Sequence, residues 1–194
     1  MWNATRPTIA TNALFEDIDP ERLLCRLQQF GPILAGSIDL DSTAIEQNER
    51  ALSEKNMAVV RGFFELGVPL GIISNASGEK RHRRVYDIAH TISESVGCEV
   101  IAVTSHELGG WQCKKPRQLL FDTVAQRMGV ANHLMFHIGD QVLKDAWGAN
   151  RAGYAASVHV QPCAPKSDPR GVRWLQRPLE NRLLRSWDAP FGWE

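Results

Sequence analysis

The 194-residue chain has no surplus of charge of either sign: 22 Lys and Arg stand against 22 Asp and Glu. Nothing in its electrostatics therefore argues for nucleic acid as a partner. It has no apolar run near the roughly 20 residues needed to span a bilayer. Its start, Met1-Trp2-Asn3-Ala4-Thr5-Arg6-Pro7, lacks the basic head and apolar stretch of a secretory signal, which points to a cytoplasmic protein. Cysteines are few. Cys25, Cys98, Cys113 and Cys163 lie far apart, with no C-x-x-C and no Cys/His pairing at zinc spacing, so reduced thiols are the simplest reading. There are no internal repeats and no low-complexity stretch.

What is present is a soluble globular composition, 43% hydrophobic and 23% charged, on a length that supports one domain with modest extensions and a real core. Apolar runs at Ile33–Ile38, Val68–Ile73, Val100–Val103, Leu134–Ile138 and Ala155–Val160 read as strands, although Gly36-Ser37 weakens the first. Between them, helical spacing recurs. Asp19-Pro20 opens a helix that stops near Gly31-Pro32. Leu52, Val59, Val60 and Phe63 suit another within Glu46–Leu66, closed by Gly67. Val85, Ile88, Ala89 and Ile92 share a face within Gly78–Val96. Leu119, Leu120, Val124 and Met128 make a fourth, and a short helix is expected near Ala146. Alternation of this kind predicts an α/β fold, a three-layer doubly wound parallel sheet of Rossmann type with ligands outside the strand C-terminal ends. The core should occupy residues 1–160. Residues 161–194, opening with three prolines between Gln161 and Gly171, should form a linker and a C-terminal tail.

Four short pieces fall at or just after strand ends, in one order: Asp39-Leu40-Asp41-Ser42-Thr43, Ser74-Asn75, Lys115-Pro116, and Gly139-Asp140 with Asp145 behind it. Each has a bland explanation taken alone: an Asx-turn, a polar turn, a solvated lysine at a helix start, a helix cap. Together they supply what phosphoryl transfer needs. One carboxylate of the first piece can attack phosphorus while the other serves as general acid and then base. A Mg²⁺ held by Asp39 and Asp140 can control the nucleophile and neutralise the substrate. The Ser74 hydroxyl, backbone N–H groups after Asn75 and the Lys115 ammonium can hold phosphoryl oxygens. Asp140 and Asp145, five apart across a turn, can hold a metal and order its surroundings.

The ordered set resembles the haloacid dehalogenase superfamily, whose four motifs are a D-x-D strand end, a strand-end Ser or Thr, a Lys and an acidic pair. Within it, Gly139-Asp140-Gln141-Val142-Leu143-Lys144-Asp145-Ala146-Trp147-Gly148-Ala149-Asn150-Arg151-Ala152-Gly153 closely resembles the YqeG family, as do Ile73–Arg81 and the tail Asn181–Trp187. That family is related to the phosphatidylglycerophosphate phosphatases of mitochondria and plastids. The resemblance implies Asp39 as nucleophile, Asp41 as acid and base, and Ser74 and Lys115 as phosphoryl holders. It also implies a Mg²⁺ bound by Asp39, the Asp41 carbonyl and Asp140, with Asp145 in support. The sequence departs from the family at Ser42, where Asn is usual, and at Gly36-Ser37 in a strand that is normally apolar.

The intervals between Thr43 and Ser74 and between Asn75 and Lys115 are each consumed by ordinary helix and strand, so no cap domain fits over the site. An open site suits a large or surface-embedded substrate. In the tail, Arg170, Arg173, Arg177, Arg182 and Arg185 face a single acid, Glu180, while Leu175, Leu179, Leu183 and Trp187 recur every four residues. Such a segment can lie on an anionic membrane or dock on its own domain with the arginines in water, and docking is the favoured reading; Pro178 argues against one uninterrupted helix. The expected function is a Mg²⁺-dependent phosphomonoesterase, with phosphatidylglycerophosphate the best substrate. Two alternatives stand beside it: a phosphatase of a soluble sugar or nucleotide phosphate, covered by a second copy in a homo-oligomer, and a silent binding module. A receiver domain fits the motif order poorly, and dehalogenation has no use for Asp41. His106 and Trp111, in the loop before Lys115, are near the expected site, Trp111 with a packing role.

Overall fold

In the computed structural model, residues 7–47, 49–165 and 171–186 are described. Six strands form one sheet: β1 (Ile9–Ala10), β2 (Ala35–Ile38), β3 (Leu70–Ser74), β4 (Ala102–Thr104), β5 (Met135–Gly139) and β6 (Ala156–His159). Their order is β1-β6-β5-β2-β3-β4 and every pairing is parallel. Five of the six coincide with the expected apolar runs, β3, β4 and β5 each ending one residue beyond its run. β1 escaped the sequence reading because two residues, Ile9 opposite Val158 and Ala10 opposite His159, are too short to show alternation.

The helices are α1 (Pro20–Leu27), α2 (Glu54–Glu65), α3 (Glu79–Val96), α4 (Gln118–Met128), α5 (Trp147–Ala152) and α6 (Arg177–Ser186). The second starts at Glu54 rather than near Glu46, because the Ser53 side chain caps it by accepting the Asn56 N–H at 3.1 Å. Successive strand residues point to opposite faces, so both faces carry a core. On one, Ile38, Leu70, Ile72, Phe136, Ile138 and Val158 meet Leu23, Val60, Phe63, Val85 and Ile88 of the first three helices. On the other, Ala35, Ile73, Val103 and Met135 meet Leu120, Phe121, Val124 and Ala149 of α4 and α5.

The Gly36-Ser37 interruption of β2 has a physical cause. A Cβ at Gly36 would sit 2.5 Å from the Phe136 ring and 2.7 Å from Leu70, so glycine lets the neighbouring strands' side chains close over the sheet. Ser37 shares a hydrogen bond with His137 Nδ1 across the strands at 2.8 Å.

The connection from β2 to β3 holds α2, and that from β3 to β4 holds α3. Neither has chain left over for a cap. The C-terminal segment docks on the core: Leu184 is buried with Ala10 and Val142, and Glu180 accepts the Leu143 N–H at 3.0 Å. Pro178 lies in the first turn of α6 and does not break the helix. The preceding turn, Val172–Gln176, widens to π geometry, which accommodates a residue with no N–H for the Trp174 carbonyl. Trp174, Leu175 and Leu179 face outward. Arg170 and Trp187 lie outside the described residues.

Candidate active site

The sheet order puts β2 between β3 and β5, so the residue following β2 is flanked by the ends of both neighbours. That residue is Asp39, whose N–H donates to the Ile138 carbonyl at 2.9 Å. The chain then turns back on itself: the Leu40 carbonyl accepts N–H groups from Thr43, Ala44 and Ile45, and Ser42 takes φ +67°. The turn returns the Thr43 hydroxyl to the sheet, where it donates to Asp140 Oδ1 at 2.9 Å and accepts the Asp140 N–H at 3.1 Å. At the end of β5, a Cβ on Gly139 would collide with the Asp145 side chain at 2.4 to 2.5 Å. Glycine there lets the π-helical turn Val142–Ala146 bring Asp145 over the strand end.

Three carboxylates meet as a result. One oxygen each from Asp39, Asp140 and Asp145 lies within 4.8 Å of the others, and all three residues are buried. Lys115, also buried, donates from Nζ to Asp39 Oδ1 and, at 2.5 Å, to Asp145 Oδ1. Its own N–H is held by Asn75 Oδ1 at 2.7 Å, which ties the β3 loop to the lysine loop. The Ser74 hydroxyl accepts the Ala76 N–H at 3.2 Å. Asp39, Asp145, Lys115, Asn75 and Ser74, with Asp41, line one open hollow of about 260 Å³, together with Arg81, Lys114 and Lys144.

Burial pushes the Asp39 carboxyl up to about 8; Lys115 pulls against this, and Asp145 and Asp140 add to it. Burial also raises Asp140, with Arg177 opposing it. Burial works against the charged form of Asp145 too, yet Lys115 and His137 hold that carboxyl well below the usual range. Lys115 stays charged despite its burial because Asp145 and Asp39 face it. An all-oxygen donor set of three buried carboxylates suits a hard divalent ion. Asp39, Asp140 and Asp145 could hold one, and its charge would draw Asp39 back into the ionised form.

Asp41 stands apart from this trio. Its carboxylate accepts Arg84 Nη1 at 2.7 Å, while its backbone bridges to Ile45.

Residues 112–161, from the lysine loop through the acidic pair and β6, match a family model described as HAD-hydrolase-like. The chain is also 27% identical over 146 residues to the probable phosphatase YqeG of Bacillus subtilis, covering 75% of this chain and 73% of that protein. Over residues 112–161 the chain is similar to the HAD-like hydrolases. Among solved structures, an uncharacterized protein from Listeria monocytogenes serotype 4b is 16% identical with a TM-score of 0.49, covering 79% of this chain and 99% of that one. The cobalt-bound deoxy-D-mannose-octulosonate 8-phosphate phosphatase from Haemophilus influenzae is 11% identical with a TM-score of 0.46, covering 83% and 92%.

In this chain, Asp39, Asp41, Ser74, Asn75, Lys115 and Asp145 all face the one hollow. Asp140 joins the carboxylate cluster behind it. The packing role expected of Trp111 is not met: it is 71% exposed, on a 3₁₀ turn, Gly110–Cys113, just before the lysine. His106 turns to the start of α3, where it pairs with Glu79 at 2.9 Å.

Four residues of the site were missed from sequence. Thr43 is part of the first motif and could have been found there. His137, 3.4 Å from Asp145, hides in an apolar strand. Arg84 and Arg177 reach the site from helices far along the chain. Arg177 donates to both the carbonyl and Oδ2 of Asp140, so the tail meets the site directly.

Proposed function

We propose that this chain is a Mg²⁺-dependent phosphomonoester hydrolase working through an aspartyl-phosphate. The observation that carries the reading is the meeting of Asp39, Asp140 and Asp145 with Lys115 at adjoining strand ends. A bound Mg²⁺ would supply positive charge to the phosphoryl oxygens and keep Asp39 ionised.

An Asp39 oxygen attacks phosphorus, and the bond to the leaving oxygen breaks. Asp41 gives that oxygen its proton. Lys115 and the Ser74 hydroxyl hold the non-bridging oxygens as charge builds on them. In the second half, Asp41 takes a proton from the attacking water. The acyl-phosphate P–O bond breaks, and Asp39 and free phosphate are regenerated. Arg84 fixes the direction of the Asp41 carboxylate.

Phosphatidylglycerophosphate is the substrate this reading favours. The open hollow supports it, because an embedded ester need not be enclosed. So does the outer face of the tail, where Trp174, Leu175 and Leu179 are exposed beside Arg182 and Arg185, a pattern fit for an anionic surface. The protein would then be cytoplasmic and membrane-peripheral.

The test is phosphate release with Mg²⁺ from that lipid in mixed micelles and from a soluble phosphomonoester, wild type against Asp39→Asn. Lipid turnover that vanishes in the variant is the expected result. Turnover of the soluble ester alone would keep the chemistry and remove the lipid. Silence on both from folded protein would remove the enzymatic reading.

A further inference from the structure

Beside the catalytic hollow lies a larger cleft of about 810 Å³, between the first turns of α3 and the loop near Arg50. Its lining is unusual for a chain whose net charge is zero. Five cations, Arg50, Lys80, Arg81, Arg83 and Arg84, face it against two acids, a local excess of three positive charges. One of those acids, Glu79, is engaged by Arg83 at 2.7 Å. Among the described residues, Arg50, Lys80 and Arg81 have no carboxylate partner.

Two features join this cleft to the chemistry. Arg81 lines both the cleft and the hollow that contains Asp39, Ser74 and Lys115. Arg84 spans the boundary: Nη1 donates to Asp41 at 2.7 Å, while Nε donates to the Glu49 carbonyl. The two arginines stand three apart on one helix and so share a face. That helix also begins beside Ser74-Asn75, and its N-terminal end adds partial positive charge.

From these contacts we infer that the arginine-lined cleft is a second anion subsite, and that the substrate is a phosphomonoester whose leaving group carries a further anionic group, a phosphodiester or second phosphate. The inference rests on the phosphatase reading and narrows it. The reacting phosphoryl sits against Asp39 and Lys115, and the second anion reaches Arg81, Arg50 and Lys80. A lone phosphomonoester fills only half of this arrangement. Both a lipid headgroup and a soluble bisphosphate carry the required chemistry.

The experiment measures binding rather than turnover, on the Asp39→Asn protein with Mg²⁺, by titration calorimetry. Propane-1,3-diol bisphosphate is compared with propyl phosphate, with and without Arg50→Ser and Lys80→Ser. The bisphosphate is expected to bind about tenfold more tightly or better, since charge-assisted contacts to arginine are among the stronger polar ones. The double substitution should erase most of that advantage while leaving propyl phosphate affinity within about twofold.

No advantage for the bisphosphate, or an advantage that survives the double substitution, would overturn the subsite. Because the probe is binding to a variant without its nucleophile, inactivity of the wild type would count against the phosphatase reading and leave this ratio readable. A last pair of ligands separates the sources: phosphatidylglycerophosphate in micelles and its deacylated headgroup in water. Equal arginine-dependent affinity assigns the subsite to the anion alone. A gain restricted to the micelle assigns it to the lipid form.

Discussion

Ser42 holds the turn that makes the first motif work, and it does so in a conformation its side chain does not favour. Its φ of +67° belongs to the left-handed region, which glycine and asparagine enter more readily than serine. The family pattern noted from sequence has Asn at this position, so the departure falls where backbone strain is stored. The geometry nonetheless survives: the Ser42 N–H donates to Ile45 at 2.8 Å, and its carbonyl accepts the Cys163 N–H at 2.9 Å. Ser42→Asn should therefore raise unfolding stability by about 0.5–1 kcal/mol, read as a higher urea midpoint with an unchanged slope. An unchanged or lower midpoint would mean that the turn is not strained by its residue. Thr43 shows the companion lesson. The D-x-D-x-T spacing displayed it plainly, but only the folded turn reveals that its hydroxyl clamps Asp140 on both donor and acceptor sides.

The C-terminal helix is the element whose role the sequence left most open. Its amphipathic pattern was legible, and docking was the favoured reading; what could not be read was which residue would enter the core. Side-chain reach across 37 positions, from Asp140 to Arg177, leaves no periodic trace. Arg177 is largely buried against Asp140, donating to Oδ2 while Thr43 donates to Oδ1. Removing it should act in opposite directions on two measurements. Arg177→Gln should tighten Mg²⁺ binding by about tenfold in calorimetry, because a like charge leaves the neighbourhood of the ion. The same change should cost the metal-free protein about 3 kcal/mol, because a buried carboxylate loses its partner. Weaker metal binding in the variant would instead make Arg177 a positioning residue for Asp140. The other helices were easier to foresee because each carries its own start and stop. Asp19, Ser53 and Gly97 mark ends by local chemistry, whereas β1 depends on a partner strand elsewhere in the chain.

Taken together, the molecule buries an unusual amount of titratable chemistry under one end of its sheet, and its response to acid should report this. His159, at the end of β6, is 4% exposed, and burial lowers it from 6.5 to about 4, with the nearby Arg177 guanidinium acting in the same sense. His137, wholly buried, is lowered chiefly by burial as well. A histidine that resists protonation when folded accepts a proton more readily once unfolded, so acid favours unfolding. The stability it contributes is complete above pH 6.5 and is lost as pH falls from 6.5 toward 4, below which no further loss accrues. For His159 the full span amounts to about 3 kcal/mol. Without metal, Asp39 runs the other way: its raised carboxyl stabilises most below 3.8, and that contribution is lost as pH rises through about 8. A single stability profile therefore mixes opposing slopes, and only a difference separates them. His159→Gln compared with wild type, both in chelator, should flatten the decline between pH 6.5 and 4 by about 2–3 kcal/mol while leaving the rise due to Asp39 in place. Parallel profiles for the two proteins would show that His159 is protonated as easily in the fold as outside it. The apolar strands that announce this sheet give no hint of such behaviour, because a histidine within a run of buried residues reads as one more core position until its neighbours are known.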